Sequence, residues 1–331
     1  MTVVLRAATD QGLLALQRQL RALAPDIALV TNGDQALERV TPDARPPRLV
    51  GADVMEGSVM RARRVFGDHE AAFAAFLDGT QTSRVVAYVD GTPIVHGTVA
   101  AVVRMRRNRR LTTWHRPIVR RRLYACLRAF TPEQVRALHA LGLEVVDTTP
   151  ASQEPALHPF ILRDEAVHRV QEDREEAERE LAERWCHHER EPLFIDGGIS
   201  GSDKVAVSAC TVGVVKSHRT LYAEGDALQT IFGLRSGERS SVFRVTSPKR
   251  IPVASWYLRL RDPLGYDPMW GLVRVEIACP AHIDADSVGP TADRVSLWIL
   301  AEATPLALPD GRWDKMVYGI RDCEEFLHAV T

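Results

Sequence analysis

The chain has 331 residues, 45% of them apolar and 26% charged. That balance belongs to a globular protein with a buried core and excludes a disordered or fibrous chain. The formal net charge is −1, so no global field recruits a nucleic acid or a membrane, and a charged partner must be met by a local patch.

The N-terminus lacks a basic segment followed by a long apolar one, and no stretch approaches ~18 apolar residues, so a cytoplasmic protein without a membrane span is expected. Along the chain, Leu13, Leu14, Leu16, Leu20 and Leu23 recur at helical spacing and predict an amphipathic helix over Asp10 to Leu23. A Pro-rich connector follows, then a second predicted helix from Asp53 to Phe76. From Arg84 to Arg104 the period changes: valine-rich segments flank Asp90-Gly91 and predict antiparallel strands around a hairpin turn. Thr131 is a good N-cap for a helix over Pro132 to Leu141. Arg163 to Arg190 reads as one long charged helix, with Ala166, Val167, Val170, Ala177, Leu181 and Trp185 as a narrow buried stripe and Pro192 as its stop. Strands are expected at LFID, KVAVSACTVGVVK, SVFRV, SWYLRL and GLVRVEI, and closing helices over Ala292 to Ala303 and Asp322 to Val330. The whole predicts an α/β or α+β domain, a mixed sheet flanked by helices, over 71–331 with an N-terminal helical extension over 1–70.

Two places share one local design. Asp78 in AAFLDGTQTS and Asp196 in PLFIDGGISGS each end an apolar run and precede glycine and small hydroxyl residues. An apolar run fixes a buried strand, the aspartate emerges at its end, and glycine admits a close neighbour. Two such carboxylates on neighbouring strands suit a hard divalent cation. Each Asp-Gly is otherwise a turn, as Asp90-Gly91 is. Glu172, Glu176, Glu180 and Glu183 share a face of the long helix; one of them is a candidate third ligand, the rest a solvated face laced with arginine pairs.

Between Arg104 and Arg122 runs a dense basic segment that includes Arg106, Arg107, Arg109, Arg110, Arg116, Arg120 and Arg121, with Trp114, His115 and Tyr124 interleaved. Guanidinium groups fit phosphates and aromatic rings stack on unpaired bases, so this run is a candidate nucleic-acid contact, or else a protein interface. Lys216 ends another apolar strand, where an ammonium group can neutralise a phosphate. The five cysteines form no C-x-x-C pair and read as reduced core thiols, not zinc ligands. No Walker-type loop, dinucleotide fingerprint, serine elbow or H-E-x-x-H occurs.

The order of LDGT, a charged helix feeding LFIDGG, a strand into GVVK, then SWYLRL, GLVRVEI and a C-terminal YGIRDCEEFLHAV resembles the NurA nuclease family from about Phe76 to the end. The resemblance implies a ribonuclease H-like fold, Mn²⁺- or Mg²⁺-dependent cleavage of single- and double-stranded DNA in end processing or phage defence, a homodimer, and work with a HerA-type hexameric ATPase. It makes Asp78 and Asp196 the metal aspartates, Glu176 or Glu180 the helix glutamate, and Tyr318 the C-terminal tyrosine. The family's histidine shortly after that tyrosine is missing: Cys323, Glu324 and Phe326 stand there, and His328 comes later. Either His328 or Glu324 substitutes, or activity is altered, so a catalytically impaired DNA-binding or assembly subunit is the alternative. Without a nucleotide-binding loop the chain needs a partner motor, and the apolar face of Leu13, Leu16 and Leu20 either docks that partner or, as most apolar helix faces do, packs on its own domain or its dimer mate.

Overall fold

The structure is a computed structural model that describes residues 15–22, 28–29, 46–149, 158–248, 250–263, 266–279, 285–303 and 313–331. It opens with helix α1 (15–22) and short strands β1 (Ala28–Leu29), β2 (Arg48–Leu49), β3 (Asp53–Val54) and β4 (Ala62–Arg64). Long strands β5 (Ala75–Val89) and β6 (Thr92–Arg107) follow, then β7 (Arg110–Thr113), β8 (Ile118–Ala125), α2 (Pro132–His139) and β9 (Glu144–Asp147). Helix α3 (Pro159–His188) leads into β10 (Leu193–Asp196), α4 (Asp203–Ala206), β11 (Thr211–Val215), β12 (Thr220–Leu221) and α5 (Gly225–Phe232). Strands β13 (Glu238–Ser240), β14 (Phe243–Val245), β15 (Val253–Arg259) and β16 (Leu272–Ala278) precede the closing helices α6 (Ala285–Glu302) and α7 (Tyr318–Val330).

Local chemistry explains the main elements. Asp90 and Gly91 both take positive φ, 48° and 80°, the two-residue turn whose twist matches the flanking strands, and it sets the β5–β6 register at Val89 opposite Thr92. Thr131 and Gln134 form a reciprocal capping box at the start of α2. All six residues of the predicted α3 stripe are buried. They bury because α3 lies along β5, β6 and β8; most of its charged positions face outward, Asp173 being fully buried among the exceptions.

Among the described residues one mixed sheet runs in the order β3-β14-β15-β16-β11-β10-β5-β6-β8-β9. Its centre is β10, parallel to both β5 and β11, with β5–β6–β8 antiparallel on one side and β11–β16–β15 antiparallel on the other. Side chains alternate between two cores. Phe76, Val102, Phe194, Val214 and Val275 pack with α6 and α7 on one face. Leu77, Val103 and Ile195 pack with α3, α4 and α5 on the other. A central strand covered on both faces reads as a continuous apolar run, which is why β6 is valine-rich. The result is a mixed α/β fold with helices on both faces of its sheet. No described helix is long and apolar enough to cross a membrane.

Two expectations give way and one choice is decided. The stretch from Asp53 to Phe76 forms no helix: β3 and β4 pair with β14 and β13 at the sheet edge, so tertiary pairing overrides the local pattern. KVAVSAC is not a strand. Ser202 accepts a bond from Val205 N and caps the short helix α4, so the strand begins only at Thr211. The two readings of the α1 face are decided for packing on its own domain: Leu16 and Leu20 are buried against Val86, Ile94 and Leu123 of the sheet and Leu138 of α2, as most apolar helix faces are. Leu13 lies outside the described residues.

Candidate active site

Parallel pairing brings the two aspartates level. Ile195 is in register with Leu77, so Asp78 and Asp196 are the next pair on neighbouring central strands. Asp78 pairs with Val102 and Asp196 with Val214. Both partners belong to the α6/α7 core, so alternation points the two aspartates and Lys216 to that face. One expectation is corrected here. Asp78 does not end its strand, because β5 continues to Val89. The strand that ends is β10, which stops at Asp196 where Gly197 turns away with φ 139°. Beyond that point β5 and β11 lose their shared neighbour, and a notch opens through the sheet.

A third carboxylate reaches the notch from the opposite face. Glu178 of α3 lies over Gly79, so close that a Cβ at Gly79 would collide with Glu178 Oε1. Glycine after Asp78 therefore makes room for a helix side chain and does not form a turn. Burial, then Asp196 and Glu178, push the Asp78 carboxyl well above its usual range; Lys216 and the Gly79 N–H, 2.8 Å from Oδ1, oppose this. Burial also raises Glu178 to about 7, against the opposing Arg174 guanidinium and with Asp196 adding to the rise. Asp78 is 8% exposed and has no ion-pair partner among the described residues.

The two helix glutamates expected as ligands are elsewhere. Arg120 of β8 binds Glu180 at 2.8 Å and stands 3.7 Å from Glu176. Glu180 also pairs with Arg184 one turn on. They occupy the face of α3 turned to β8, whereas Arg174, Glu178 and Ala182 form the adjacent stripe that follows the notch. The missed signal was Gly79: a side-chain-free position beside a strand aspartate makes room for a residue of the packed helix.

The remaining candidates separate. Lys216 Nζ sits 2.7 Å from Asp196 Oδ2, so it belongs to the site. Tyr318 begins α7 and is 53% exposed, and no contact joins it to the carboxylates. His328 is exposed near the C-terminal end of that helix. The α7 residue that faces Asp78 is Cys323, whose buried thiol donates to Phe76 O at 3.4 Å and is pushed up by burial and by Asp78. Gly319 lets α7 approach, since a Cβ there would collide with the Phe76 ring. Helix α7 thus closes the α6/α7 face of the notch.

The basic run is not one surface. Arg104 bonds Asp322 and Thr113, and Arg106 grips Glu302 with two bonds of 2.8 Å. Arg120 is paired as above. Trp114 is buried with its indole N–H on Glu189, and buried Tyr124 donates to Asp173. These five are structural, contrary to the expected phosphate and base contacts. Arg107, Arg109, Arg110, Arg116 and Arg121 remain exposed, and Arg107–Arg110 form a hairpin tip with positive φ at Asn108 and Arg109.

On the α3 face the notch opens into a cleft of about 380 Å³. Arg174, Glu178, Arg179, Asp196, Gly198 and Arg250 are among its lining residues. Comparison of the chain with protein-family models and with curated proteins finds no match. Among the described residues no group of three or more His, Cys, Asp and Glu side chains is gathered tightly enough to form a ready metal cage. Lys216 on Asp196 and Arg174 on Glu178 supply the positive charge in this arrangement. The donor chemistry nonetheless suits a hard divalent cation: three oxygen-bearing carboxylates, one of them buried without a counter-ion.

Proposed function

We propose that this chain is a metal-dependent nuclease of NurA type, with Asp78, Asp196 and Glu178 holding Mn²⁺ or Mg²⁺. One observation carries the reading. Asp78 and Asp196 from two central strands and Glu178 from a crossing helix converge, and burial together with the neighbouring carboxylates raises the proton affinity of Asp78 and Glu178, an arrangement that costs stability and persists where function requires it. The strand order β8-β6-β5-β10-β11 and the helix between β8 and β10 support the ribonuclease H-like version of the fold.

When bound, the cation supplies Lewis acidity, polarising a phosphodiester and offsetting charge that develops as the P–O bond breaks. The chain's own residues do the rest. Asp78 and Asp196 are fixed by the sheet, so their oxygens need little reorganisation. Glu178 reaches the notch from α3 with its carboxylate steadied by Arg174, so it can add a third oxygen donor beside them. Lys216 is within reach of an anionic group near Asp196 and can neutralise it. The exposed arginines of the β6–β7 tip offer phosphate contacts distant in sequence from the carboxylates. Pairing with a HerA-type ATPase and a dimer rest on the sequence resemblance.

The test is cleavage of linear single- and double-stranded DNA, and of RNA, across a Mn²⁺ and Mg²⁺ titration. Wild type should cut, and Asp78→Asn and Asp196→Asn should each lose at least ~10²-fold in rate while melting cooperatively. Wild-type rates in both variants would move the active site elsewhere. The ion pairs Lys216–Asp196 and Arg174–Glu178 favour a second reading, an impaired subunit in which side-chain cations replace the metal. That reading requires nucleic-acid binding without cleavage at any metal concentration.

A further inference from the structure

The cleft on the α3 face is built from two walls that are braced apart. One wall is α3, which contributes Arg174, Glu178 and Arg179 at helical spacing. The other is the loop from Gly197 to Ser202. Glu183 bridges the walls, accepting from Ser202 Oγ at 2.7 Å and Lys204 Nζ at 3.0 Å. Behind the loop, buried Glu276 accepts from Ile199 N at 2.8 Å and is itself held by Arg274 at 2.5 Å. The loop therefore keeps its shape without a ligand, and the glycines expose backbone: a Cβ at Gly197 or Gly201 would meet nothing within 4 Å.

The charges in the cleft are unevenly spent. Its three acids each face a cation already: Glu178 and Glu175 face Arg174, and Asp196 faces Lys216. Arg179 and Arg250 do not. Both are exposed and neither has an ion pair among the described residues: Arg179 adds only through space, after Ser202 and Lys204, to the lowering of the Glu183 carboxyl, and Arg250 makes a long bond of 3.4 Å to Ser200 Oγ. They reach the cleft from different elements, α3 and the segment after β14. Two exposed guanidinium forks free of ion pairs, beside a glycine-rich wall, match the planar, bidentate geometry of phosphate oxygens. A volume of about 380 Å³ lies at the low end of ligand sites, a size suited to part of one strand. The opposite face is closed by α7, which leaves this cleft as the open approach to Asp196 and Glu178.

From this geometry we infer that the cleft between α3 and the Gly197–Ser202 loop is the track for a single nucleic-acid strand, with Arg179 and Arg250 gripping phosphates next to the reacting one. The assignment rests on the nuclease reading for which phosphate reacts, but the grip is testable without cleavage. A fluorescently labelled single-stranded oligodeoxynucleotide is titrated with full-length protein in EDTA over a series of salt concentrations, and anisotropy is read. Arg179→Ala and Arg250→Ala should each weaken binding roughly three- to tenfold. The double variant should also lower the salt slope by about 0.7 for each phosphate no longer held. Both side chains are exposed, so melting temperatures should stay at the wild-type value, and Arg136→Ala on α2 serves as a control that leaves binding unchanged. In cleavage assays KM should rise with kcat nearly constant. Wild-type affinity and slope in the double variant, or no binding by wild type, overturns the track. Loss of binding in the double variant by a protein that never cuts upholds the track and sinks the nuclease reading.

Discussion

Two carboxylates five residues apart on α3 meet the sheet in opposite ways. Asp173 is fully buried, and its Oδ2 accepts from the Tyr124 hydroxyl and from Arg122 at 2.7 Å. Those partners outweigh the cost of burial and hold its carboxyl below the usual range. Glu178 is 14% exposed and has Arg174, yet burial and the nearby Asp196 hold it at about 7. Asp78, on the strand beneath the same helix, has no ion-pair partner among the described residues. Burial alone does not distinguish them. What differs is whether the surroundings answer the charge. An answered carboxylate is architecture, and an unanswered one marks where something else is meant to bind.

The sharpest way to break this contrast is catalytic. Glu178→Gln should reduce metal-dependent cleavage by ~10²-fold or more. Glu176→Gln and Glu180→Gln, which only lose surface pairs to Arg120 and Arg184, should cut at near wild-type rates. Equal loss in all three would return the third ligand to the outer face of α3. Gly79→Ala should behave like a mild Glu178 variant, since its methyl group displaces that side chain while the chain end can swing aside.

Stability gives the next largest effect, with opposite signs. Asp173→Asn breaks a buried pair, leaving Arg122 with Glu144 alone, a loss on the order of 1–3 kcal/mol near neutral pH. Because the native Asp173 carboxyl titrates below its unfolded value, its contribution is present above about pH 4 and fades as pH falls through the native value. The loss in the variant should shrink in acid accordingly. Asp78→Asn removes a charge that burial and two neighbouring carboxylates oppose. The native Asp78 carboxyl titrates above its unfolded value, so wild type loses stability as pH rises from about 4. In EDTA the Asn variant should melt higher than wild type above that pH and equal it below. Thermal unfolding across pH measures both; a destabilised Asp78→Asn at pH 8 would make Asp78 another structural carboxylate.

Much of this arrangement was legible in the sequence, and the losses have physical causes. The Asp90-Gly91 hairpin, the α3 stripe and the point where β10 stops at Asp196 follow from local rules of turn chemistry and period. Asp78 and Asp196 stood out because an apolar run followed by Asp-Gly is a local pattern. Glu178 did not, because choosing it over Glu176 requires knowing which stripe of α3 faces which strand. The same holds for the basic run. Arg104 and Arg106 look like their neighbours, and the acids that claim them, Asp322 and Glu302, lie 218 and 196 residues away. Nor could a helical pattern over Asp53 to Phe76 reveal that open edges of β13 and β14 would recruit it as strands.

The basic run carries the smallest predicted effect and repeats the contrast in cations. Arg106 is answered: two bonds to nearly buried Glu302, a third to Phe73 O, and its guanidinium over the Phe76 ring. Arg106→Ala should therefore cost stability, on the order of 1–3 kcal/mol for the carboxylate it strands, with little change in the salt dependence of DNA binding. Arg107, Arg109 and Arg110 are exposed at the β6–β7 tip. Changing these three together to Ala should leave the melting temperature within about a degree, because surface substitutions away from packed features stay within ~0.5 kcal/mol. It should weaken DNA binding a few-fold and lower the salt slope on duplex by up to ~0.9 for each phosphate the tip had neutralised. The tip lies on a hairpin separate from the α3 cleft, so its effect should add to that of Arg179→Ala and Arg250→Ala. An unchanged slope in the triple variant, with binding still abolished in the cleft variants, would assign the tip to a protein partner and leave the strand to the cleft alone.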